Sequence, residues 1–246
     1  MIVYERDLVA PPYKSQATVT LYHGQSTSSN PRYLAAQKGA RLKSICFIRA
    51  AATFGQPGFG AVKEPVYGPV EQSGHDIAAD GVLLSEAGSA AIIRTGDCPA
   101  VALFAPAHGK AVLLHAGRAA LTPRSNSDEL SNIITSGFSR LTKELPASRV
   151  IALITGSICA NHFPHDLPEA RALVEPFTVF GEHAFIDYAT GRLNLVAIIR
   201  QQLIDLGVAE SDIHHDGLCT HEHAKLASNR RDPGVKLRNP VILVLR

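Results

Sequence analysis

The sequence predicts an α+β fold, a single domain with a mixed or antiparallel β-sheet core and flanking helices. Short runs of β-branched and aliphatic residues recur along the chain, and amphipathic helical segments stand between some of them. The two kinds of element do not alternate in a strict strand–helix–strand rhythm, which favours a mixed or antiparallel sheet. Of the 246 residues, 46% are hydrophobic and 19% charged, as is typical of a packed globular domain.

Eight segments have the composition and length of strands. A Gly- and Pro-rich stretch, Phe54–Gly74, interrupts the series and is predicted to be a long functional loop or an irregular strand. Because strong apolar segments lie on both sides of this stretch, we do not place a domain boundary in it. The predicted strands are Ala17–His23, Ser44–Arg49, Ala90–Arg94, Pro99–Phe104, Ala111–His115, Arg149–Thr155, Phe185–Tyr188 and Val241–Leu245.

Three segments combine helical periodicity with recognisable ends. Each has a polar cap, a proline or a glycine where a helix is expected to begin or stop. In the second and third, the apolar residues fall on one face, which would pack against the sheet. The predicted helices are residues 28–44, capped by Ser29 and Asn30; residues 125–145, capped within 125–127; and residues 191–208, ended by Gly207.

The composition excludes some classes of function. The net charge is +2 and no basic block or basic–aromatic stripe occurs, so nucleic acid is not an expected partner. No apolar run approaches the roughly 18 residues that a membrane span needs, and the N-terminus lacks the apolar region of a signal peptide. We therefore expect a cytoplasmic protein, whose oligomeric state the sequence does not indicate. Its four cysteines are then expected to be free thiols, serving as buried hydrophobes, metal ligands or a nucleophile.

Residues 95–118, TGDCPAVALFAPAHGKAVLLHAGR, predict a β-hairpin with two reactive side chains at one end. Folding the segment about residues 106–107 places Cys98 opposite His115. Opposed residues in an antiparallel pair have Cβ atoms about 5 Å apart, a distance suited to a shared metal ion or a Cys–His proton transfer. A buried core cysteine and a surface histidine are the alternative, since isolated cysteines on strands usually pack inside.

His75, at the end of the Gly- and Pro-rich stretch, is a third candidate. A loop that carries it could fold over the end of the sheet and approach Cys98 and His115. Two histidines and one cysteine would form a zinc site with three protein ligands, leaving the fourth position open for water or substrate. The alternative is a solvated loop histidine.

Four stretches of the chain occur in a recognisable order: TGDCPAVALF, AVLLHAGR, LCT at 218–220 and SNRRDPG at 228–234. They resemble the ADC-P-V-L, HAGWRG and LCT…FFSYRRDG motifs of the laccase-domain family, also called multicopper polyphenol oxidase or YfiH-like. The resemblance runs from about Gly74 to the C-terminus. It implies one YfiH-like α+β domain over residues 1–246, with a divergent N-terminal part at 1–73.

The resemblance also implies a site and an activity. His75, Cys98 and His115 match the family's zinc ligands. The implied chemistry is phosphorolysis of adenosine, inosine, guanosine and methylthioadenosine, together with deamination of adenosine, although the family was first named for copper-dependent phenol oxidation. We therefore expect a zinc-dependent enzyme whose ligands are a purine nucleoside and phosphate. Copper is the weaker alternative, because a multicopper oxidase needs many more histidine ligands than this set provides.

Further polar residues are candidates for supporting roles. Arg118, Arg230 and Arg231 are candidate phosphate ligands, because a guanidinium pairs bidentately with phosphate oxygens. Adjacent residues on an extended chain point in different directions, so we expect only one of Arg230 and Arg231 to face the site. Asp97 is a candidate to orient a ligand histidine through a hydrogen bond. The His–Glu–His sequence at 221–223 is interpreted as a polar loop rather than a second metal site.

The chain departs from the family motifs in places that bear on activity. HAGWRG has become HAGRAA, and the aromatic pair of FFSYRRD is missing from KLASNRRD. Two alternatives therefore stay open. One is a metal-free hydrolase with Cys98 as nucleophile and His115 as base, acting on an amide such as that of a peptidoglycan precursor. The other is a degenerate binding protein without catalytic activity.

Overall fold

The computed structural model describes residues 2–12, 15–22, 44–49, 61–63, 76–126, 129–143, 149–165, 167–234 and 237–246. Residues 28–43 of the first predicted helix and most of the predicted long loop lie outside these ranges. The strands are β1 (Ile2–Leu8), β2 (Ala17–Tyr22), β3 (Ser44–Arg49), β4 (Val62–Lys63), β5 (Asp76–Ala78), β6 (Gly81–Leu84), β7 (Ser89–Thr95), β8 (Ala100–Ala105), β9 (Lys110–His115), β10 (Arg124–Asn126), β11 (Glu129–Ser131), β12 (Ile151–Thr155), β13 (Phe185–Asp187), β14 (Arg192–Leu193), β15 (Ile213–His215) and β16 (Asn239–Leu245). The helices are α1 (Arg118–Leu121), α2 (Ile133–Thr142), α3 (Pro168–Val174) and α4 (Leu195–Asp205), with 3₁₀ turns at Pro106–His108, Ala160–His162, Glu175–Ala184 and Glu210–Asp212.

Twelve of these strands form two six-stranded sheets. The first has the order β1-β2-β16-β7-β3-β5 and the second the order β15-β12-β8-β9-β6-β4. Both are mixed, because β3 runs parallel to β5 and β7, β12 to β15, and β4 to β6, while the other pairs are antiparallel. The predicted mixed sheet core is therefore confirmed, but it is divided between two sheets.

The second sheet is buried on both faces, and the alternation of side chains along its strands shows how. Ala102 and Phe104 of β8 and Leu113 of β9 belong to a core shared with β2, β7 and β16 of the first sheet. Leu103 and Leu114 belong to a second core, which the helices cover. The molecule thus has three layers, sheet on sheet on helices. A strand that is buried on both faces has a continuous run of apolar residues in its sequence, as β8 and β9 have.

The predicted strands that lie among the described residues are confirmed to within two residues at either end. The structure adds strands that the sequence analysis did not predict, among them β1 and β6. The third predicted helix is confirmed as α4, whose first turn is capped by Asn194 Oδ1 accepting from Ala197 N–H at 3.1 Å. It ends before Gly207, which adopts φ 89°, a conformation that glycine reaches without strain. None of the described helices is long and apolar enough to cross a membrane.

The predicted start of the second helix is wrong. Residues 124–126 and 129–131 pair with each other as β10 and β11, and α2 begins only at Ile133. The reason is a capping box at Asn132, whose side chain accepts from the N–H groups of Ile134 and Thr135. The hydroxyl of Thr135 in turn accepts from Asn132 N–H at 2.9 Å. This reciprocal pair satisfies three N–H groups at the helix start, which fixes the start there.

Candidate active site

The predicted hairpin is present, and its register sets the positions of Cys98 and His115. β8 and β9 are antiparallel, and His115 pairs with Ala100 rather than with Cys98. The 3₁₀ turn in the connection shifts the centre of the hairpin toward β9, which explains the difference. Ala116 N–H donates to the carbonyl of Pro99 at 2.8 Å, so the ribbon continues one step beyond β8. Cys98 therefore lies just past the strand, at the same end of the sheet as His115.

His115 is held by an aspartate that the sequence analysis did not identify. Asp80 directly precedes β6 and has a relative exposure of 0%. Its carbonyl accepts from the backbone N–H of His115 at 2.7 Å, and its Oδ1 lies 3.2 Å from His115 Nδ1. Nδ1 donates to this carboxylate oxygen, so Nε2 is the ring nitrogen that is left to face other groups.

Cys98 Sγ and His115 Nε2 approach the same point in front of Gly117. A Cβ atom at Gly117 would lie 2.8 Å from Cys98 Sγ and 3.2 Å from His115 Nε2. Burial lowers the pKa of His115, but the negative charge of Cys98 and the contact with Asp80 outweigh it and raise this pKa to about 10. One sulfur and one imidazole nitrogen that converge in this way fit a zinc ion, and they are also able to exchange a proton.

Asp97 occupies a different position from the predicted one, because both of its carboxylate oxygens bind groups other than the described histidines. Its Oδ1 accepts from the Thr220 hydroxyl at 2.7 Å, and its Oδ2 accepts from Arg230 N–H at 2.9 Å. Its carbonyl accepts from Ile158 N–H at 2.9 Å. With φ 116°, Asp97 is in a conformation that is rare for a residue other than glycine, and these three bonds hold it there. Asp97 thus joins the segment before Cys98 to two distant loops.

A cavity of about 670 Å³ opens at Cys98 and His115. Within the part of the chain that the structure describes, its polar lining includes four arginines and two histidines but no carboxylate. The excess of positive charge makes the cavity suited to an anionic ligand. The titratable side chains of the lining are Arg94, Cys98, His115, Arg118, His165, Arg230 and Arg238. Its larger apolar side chains are Phe163, Leu167 and Leu173.

Arg118 and Arg230 lie close enough to repel each other. Arg118 donates to the carbonyl of Leu173 at 3.4 Å, and Arg230 donates to that of Pro164 at 3.3 Å. The Arg230 guanidinium stacks on Phe163, with Cζ 4.9 Å from the ring centre. Burial and the charge of Arg230 lower the pKa of Arg118. Neither guanidinium pairs with a carboxylate among the described residues, so both have N–H groups available for a ligand.

Arg231 lies outside the lining of this cavity. Its guanidinium donates to the carbonyl oxygens of Thr220, His221, His223 and Leu226 at 2.6 to 3.3 Å. These bonds hold the loop that precedes Arg231 and occupy the N–H groups of its guanidinium. Arg231 is therefore not placed to bind phosphate in this cavity, as the sequence analysis had considered. Arg230 is the member of the adjacent pair that lines the cavity.

His165 is a further cavity residue that the sequence analysis missed. Its relative exposure is 5%, its Nδ1 lies 3.3 Å from the carbonyl oxygen of Gly191, and its ring meets Phe163 edge-on at 4.6 Å. Burial, followed by the charges of Arg230 and Arg118, lowers the pKa of His165 and keeps the ring neutral near pH 7. It is therefore a neutral polar group on a wall that is otherwise cationic.

A second group of potential metal ligands lies away from this pair. Cys159 Sγ, Cys219 Sγ and a carboxylate oxygen of Glu222 lie within 4.8 Å of one another. His162 Nε2 lies 3.1 Å from Glu222 Oε1. Burial, followed by the hydrogen bond and charge of Cys219, raises the pKa of Cys159 to about 12. The interpretation of residues 221–223 as only a polar loop is therefore incomplete.

His75 lies outside the described residues, so the structure assigns no position to the third predicted zinc ligand. The chain resumes at Asp76, the first residue of β5, which pairs with β3 in the first sheet. A three-ligand site that includes His75 stays a prediction.

A protein-family model matches most of the chain. The family model described as multi-copper polyphenol oxidoreductase laccase matches residues 60–243, a range that includes Cys98, His115, Arg118 and Arg230. No curated protein matches the chain.

Three solved structures share the fold over nearly the whole chain. The hypothetical protein YfiH of Bacillus licheniformis is 19% identical with a TM-score of 0.72, over 94% of this chain and 93% of its own. The protein NMB0706 of Neisseria meningitidis, assigned to the DUF152 family model, is 18% identical with a TM-score of 0.69, over 98% of each chain. YlmD of Geobacillus stearothermophilus is 21% identical with a TM-score of 0.67, over 96% of this chain and 94% of its own. These matches confirm the predicted YfiH-like fold.

Proposed function

The chain belongs to the multi-copper polyphenol oxidoreductase laccase family, and from this premise we propose that it is a zinc-dependent enzyme that cleaves purine nucleosides by phosphorolysis. The observation that carries the proposal is the lining of the cavity. The Cys98–His115 pair lies on it together with Arg118 and Arg230, two cations without a carboxylate partner among the described residues. A volume of about 670 Å³ is within the range of small-molecule sites.

Cys98 and His115 would hold the zinc ion, with His75 as the third ligand that the family resemblance implies. When bound there, zinc supplies a Lewis acid and lowers the pKa of a coordinated water toward neutrality. Asp80 keeps the proton on His115 Nδ1, so a zinc ion would displace the proton on Nε2, the ring nitrogen on the side of Cys98. The absence of a side chain at Gly117 leaves the space into which both donor atoms point.

Arg118 and Arg230 would bind the phosphate. In phosphorolysis an oxygen of phosphate forms a bond to C1′ of the sugar, the bond from C1′ to the base nitrogen breaks, and the base leaves with a proton. Two guanidinium groups offset the charge of the phosphate and hold its oxygens in a fixed direction, which raises the effective concentration of the attacking atom. Phe163 and the neutral His165 offer an apolar face and a polar contact to the uncharged nucleoside.

The test is to incubate zinc-loaded protein with inosine or adenosine, with and without phosphate, and to separate the products by chromatography. We expect free hypoxanthine or adenine only when phosphate is present, and its loss in Cys98→Ala. Cys46→Ala, which removes a buried thiol far from the cavity lining, is the matched control and should keep the activity. Formation of inosine from adenosine without phosphate would assign deamination to the same site. No product above the Cys98→Ala background contradicts the proposal.

One observation favours a second candidate, a metal-free cysteine hydrolase. The order Asp80, His115, Cys98 is that of acid, base and nucleophile in hydrolases that use a cysteine. Metal content and thiol reactivity distinguish the two candidates. One equivalent of zinc that is lost in Cys98→Ala and that protects Cys98 from iodoacetamide supports the zinc enzyme. Fast alkylation of Cys98 in protein purified without metal supports the hydrolase.

A further inference from the structure

We propose that Cys159, Cys219 and Glu222 form a second metal site, a zinc site that is separate from the Cys98–His115 pair and has His162 beside it. Cys159 is the residue before the 3₁₀ turn Ala160–His162, which follows β12, and Cys219 and Glu222 lie in the loop after β15. Both cysteines are free thiols rather than partners in a disulfide. Thiolates and carboxylates are both zinc ligands, and three protein ligands from two short segments leave the fourth position of the metal for water.

One distance between two of the donor atoms already matches tetrahedral zinc coordination. With a Zn–S bond of about 2.3 Å and a Zn–O bond of about 2.0 Å, a sulfur and an oxygen ligand are about 3.5 Å apart. Cys159 Sγ lies 3.6 Å from Glu222 Oε1. His162 Nε2 lies 3.1 Å from the same oxygen, a contact that orients the carboxylate toward the two thiols. Cys219 Sγ is within 4.8 Å of both the Cys159 sulfur and the Glu222 oxygen, so a small rotation closes the set.

Neighbouring groups already orient these ligands. The backbone N–H of Cys159 donates to Cys219 Sγ at 3.1 Å, the kind of outer contact that fixes a thiolate in metal sites. The ring of His162 stacks on that of His221, with centroids 4.0 Å apart and planes at 15°. His223 N–H donates to the carbonyl of Cys219 at 2.9 Å, which closes the turn that carries Glu222.

The site would fasten together the segments that line the proposed active site. Thr220 N–H donates to the carbonyl of Ser157 at 3.0 Å, so the two ligand-bearing segments are neighbours before any metal binds. The first segment continues to Phe163 and His165, and the second continues to Arg230, all of which lie on the large cavity. A metal ion held by both segments would therefore fix the position of the phosphate-binding wall relative to the hairpin.

The test uses Co²⁺ and Zn²⁺ with the full-length Cys98→Ser protein, under reducing conditions. Because the first site then has no thiolate, sulfur-to-cobalt charge-transfer bands report on the second site alone. We expect one equivalent of Co²⁺ with bands of two thiolates, displaced by Zn²⁺ and accompanied by a higher melting temperature. Adding Cys159→Ser should halve the band intensity and weaken Co²⁺ binding more than tenfold, whereas adding Cys46→Ser should change neither.

Glu222→Gln provides a second variant, because its side chain is 59% exposed and the change cannot unfold the protein. In the Cys98→Ser background it should weaken Co²⁺ binding by at least about tenfold. The proposal is overturned if the Cys98→Ser protein shows no sulfur-to-cobalt bands, or if Cys159→Ser and Glu222→Gln both leave them unchanged. No nucleoside assay enters this test, so its outcome is independent of the proposed function.

Discussion

Gly117→Ala is the most direct test of the Cys98–His115 site, because it adds one methyl group at the point where the two donor atoms meet. Gly117 has φ −66° and ψ 161°, a conformation that alanine adopts without strain. At such a position glycine-to-alanine changes usually raise the free energy of unfolding by about 0.4–1 kcal/mol, since they restrict the unfolded chain. The backbone therefore does not oppose this substitution.

The added methyl group does oppose the arrangement of the donor atoms. It would lie 2.8 Å from Cys98 Sγ and 3.2 Å from His115 Nε2. Non-bonded heavy atoms are comfortable at about 3.5–4.0 Å, so the sulfur has to retreat by about 0.7–1.2 Å. Ligand distances in a metal site tolerate only about 0.2 Å. We expect zinc affinity to fall by about 100-fold, beyond the usual effect of losing an outer contact, and nucleoside cleavage to fall with it.

The assay is competition for zinc against a chromogenic chelator, combined with urea unfolding of the metal-free protein. Gly96→Ala is the matched control, because Gly96 also lines the cavity but its new methyl group would meet the flexible end of Arg238, with Cδ at 3.1 Å. That variant should keep zinc affinity within about twofold. If Gly117→Ala folds and binds zinc as the parent does, Cys98 and His115 do not share a metal ion.

Four further variants test other parts of the structure. Asp80→Asn removes the charge beside His115 Nδ1 and should weaken zinc binding by about 10–100-fold in the same chelator competition; unchanged affinity would refute the orienting role. Arg230→Ala should raise the KM for phosphate at least about tenfold. Arg231→Ala, which loses four hydrogen bonds to backbone carbonyl groups, should instead lower the melting temperature. A raised KM in Arg231→Ala and a lowered melting temperature in Arg230→Ala would contradict both assignments. Arg149→Leu should cost about 1 kcal/mol in urea unfolding at pH 7, because Arg149 holds Asp212 from two nitrogens and lowers its pKa. That difference should be complete above the unfolded Asp pKa of about 3.9 and disappear as the pH falls through the lower pKa of folded Asp212, so a pH-independent difference would contradict the assignment.

Local patterns in the sequence were sufficient to predict the elements that form the site. The apolar runs on both sides of the APAHGK connection predict β8 and β9, and the hairpin between them brings Cys98 and His115 to one end of the sheet. The register itself depends on how the connection turns, and this detail of backbone geometry moved the pairing of His115 from Cys98 to Ala100. The helix α4 was predictable for a similar reason, since its cap and its terminal glycine are local signals.

Contacts between residues far apart in the chain were not predictable in this way. Asp80 reaches His115 only because β6 pairs with β9, and the sequence around Asp80 does not indicate that pairing. His165 belongs to a loop without periodicity, so nothing in its surroundings indicated that it faces a cavity. Asp97 was assigned to a histidine because it is next to Cys98, but chain neighbours point apart, and its carboxylate bonds to segments much later in the sequence.

The three hydrogen bonds of Asp97 determine when, during synthesis of the chain, the segment before Cys98 can reach its final conformation. Two of them span 123 and 133 residues, so they cannot form until synthesis of the chain has passed Thr220 and Arg230. A truncated product that ends before Thr220 would contain the thiol and the imidazole but would lack Arg230 and would leave the Asp97 carboxylate without its partners. In such a product the segment before Cys98 would lack the contacts that hold it, and the hairpin alone, transplanted into another scaffold, would lack them as well.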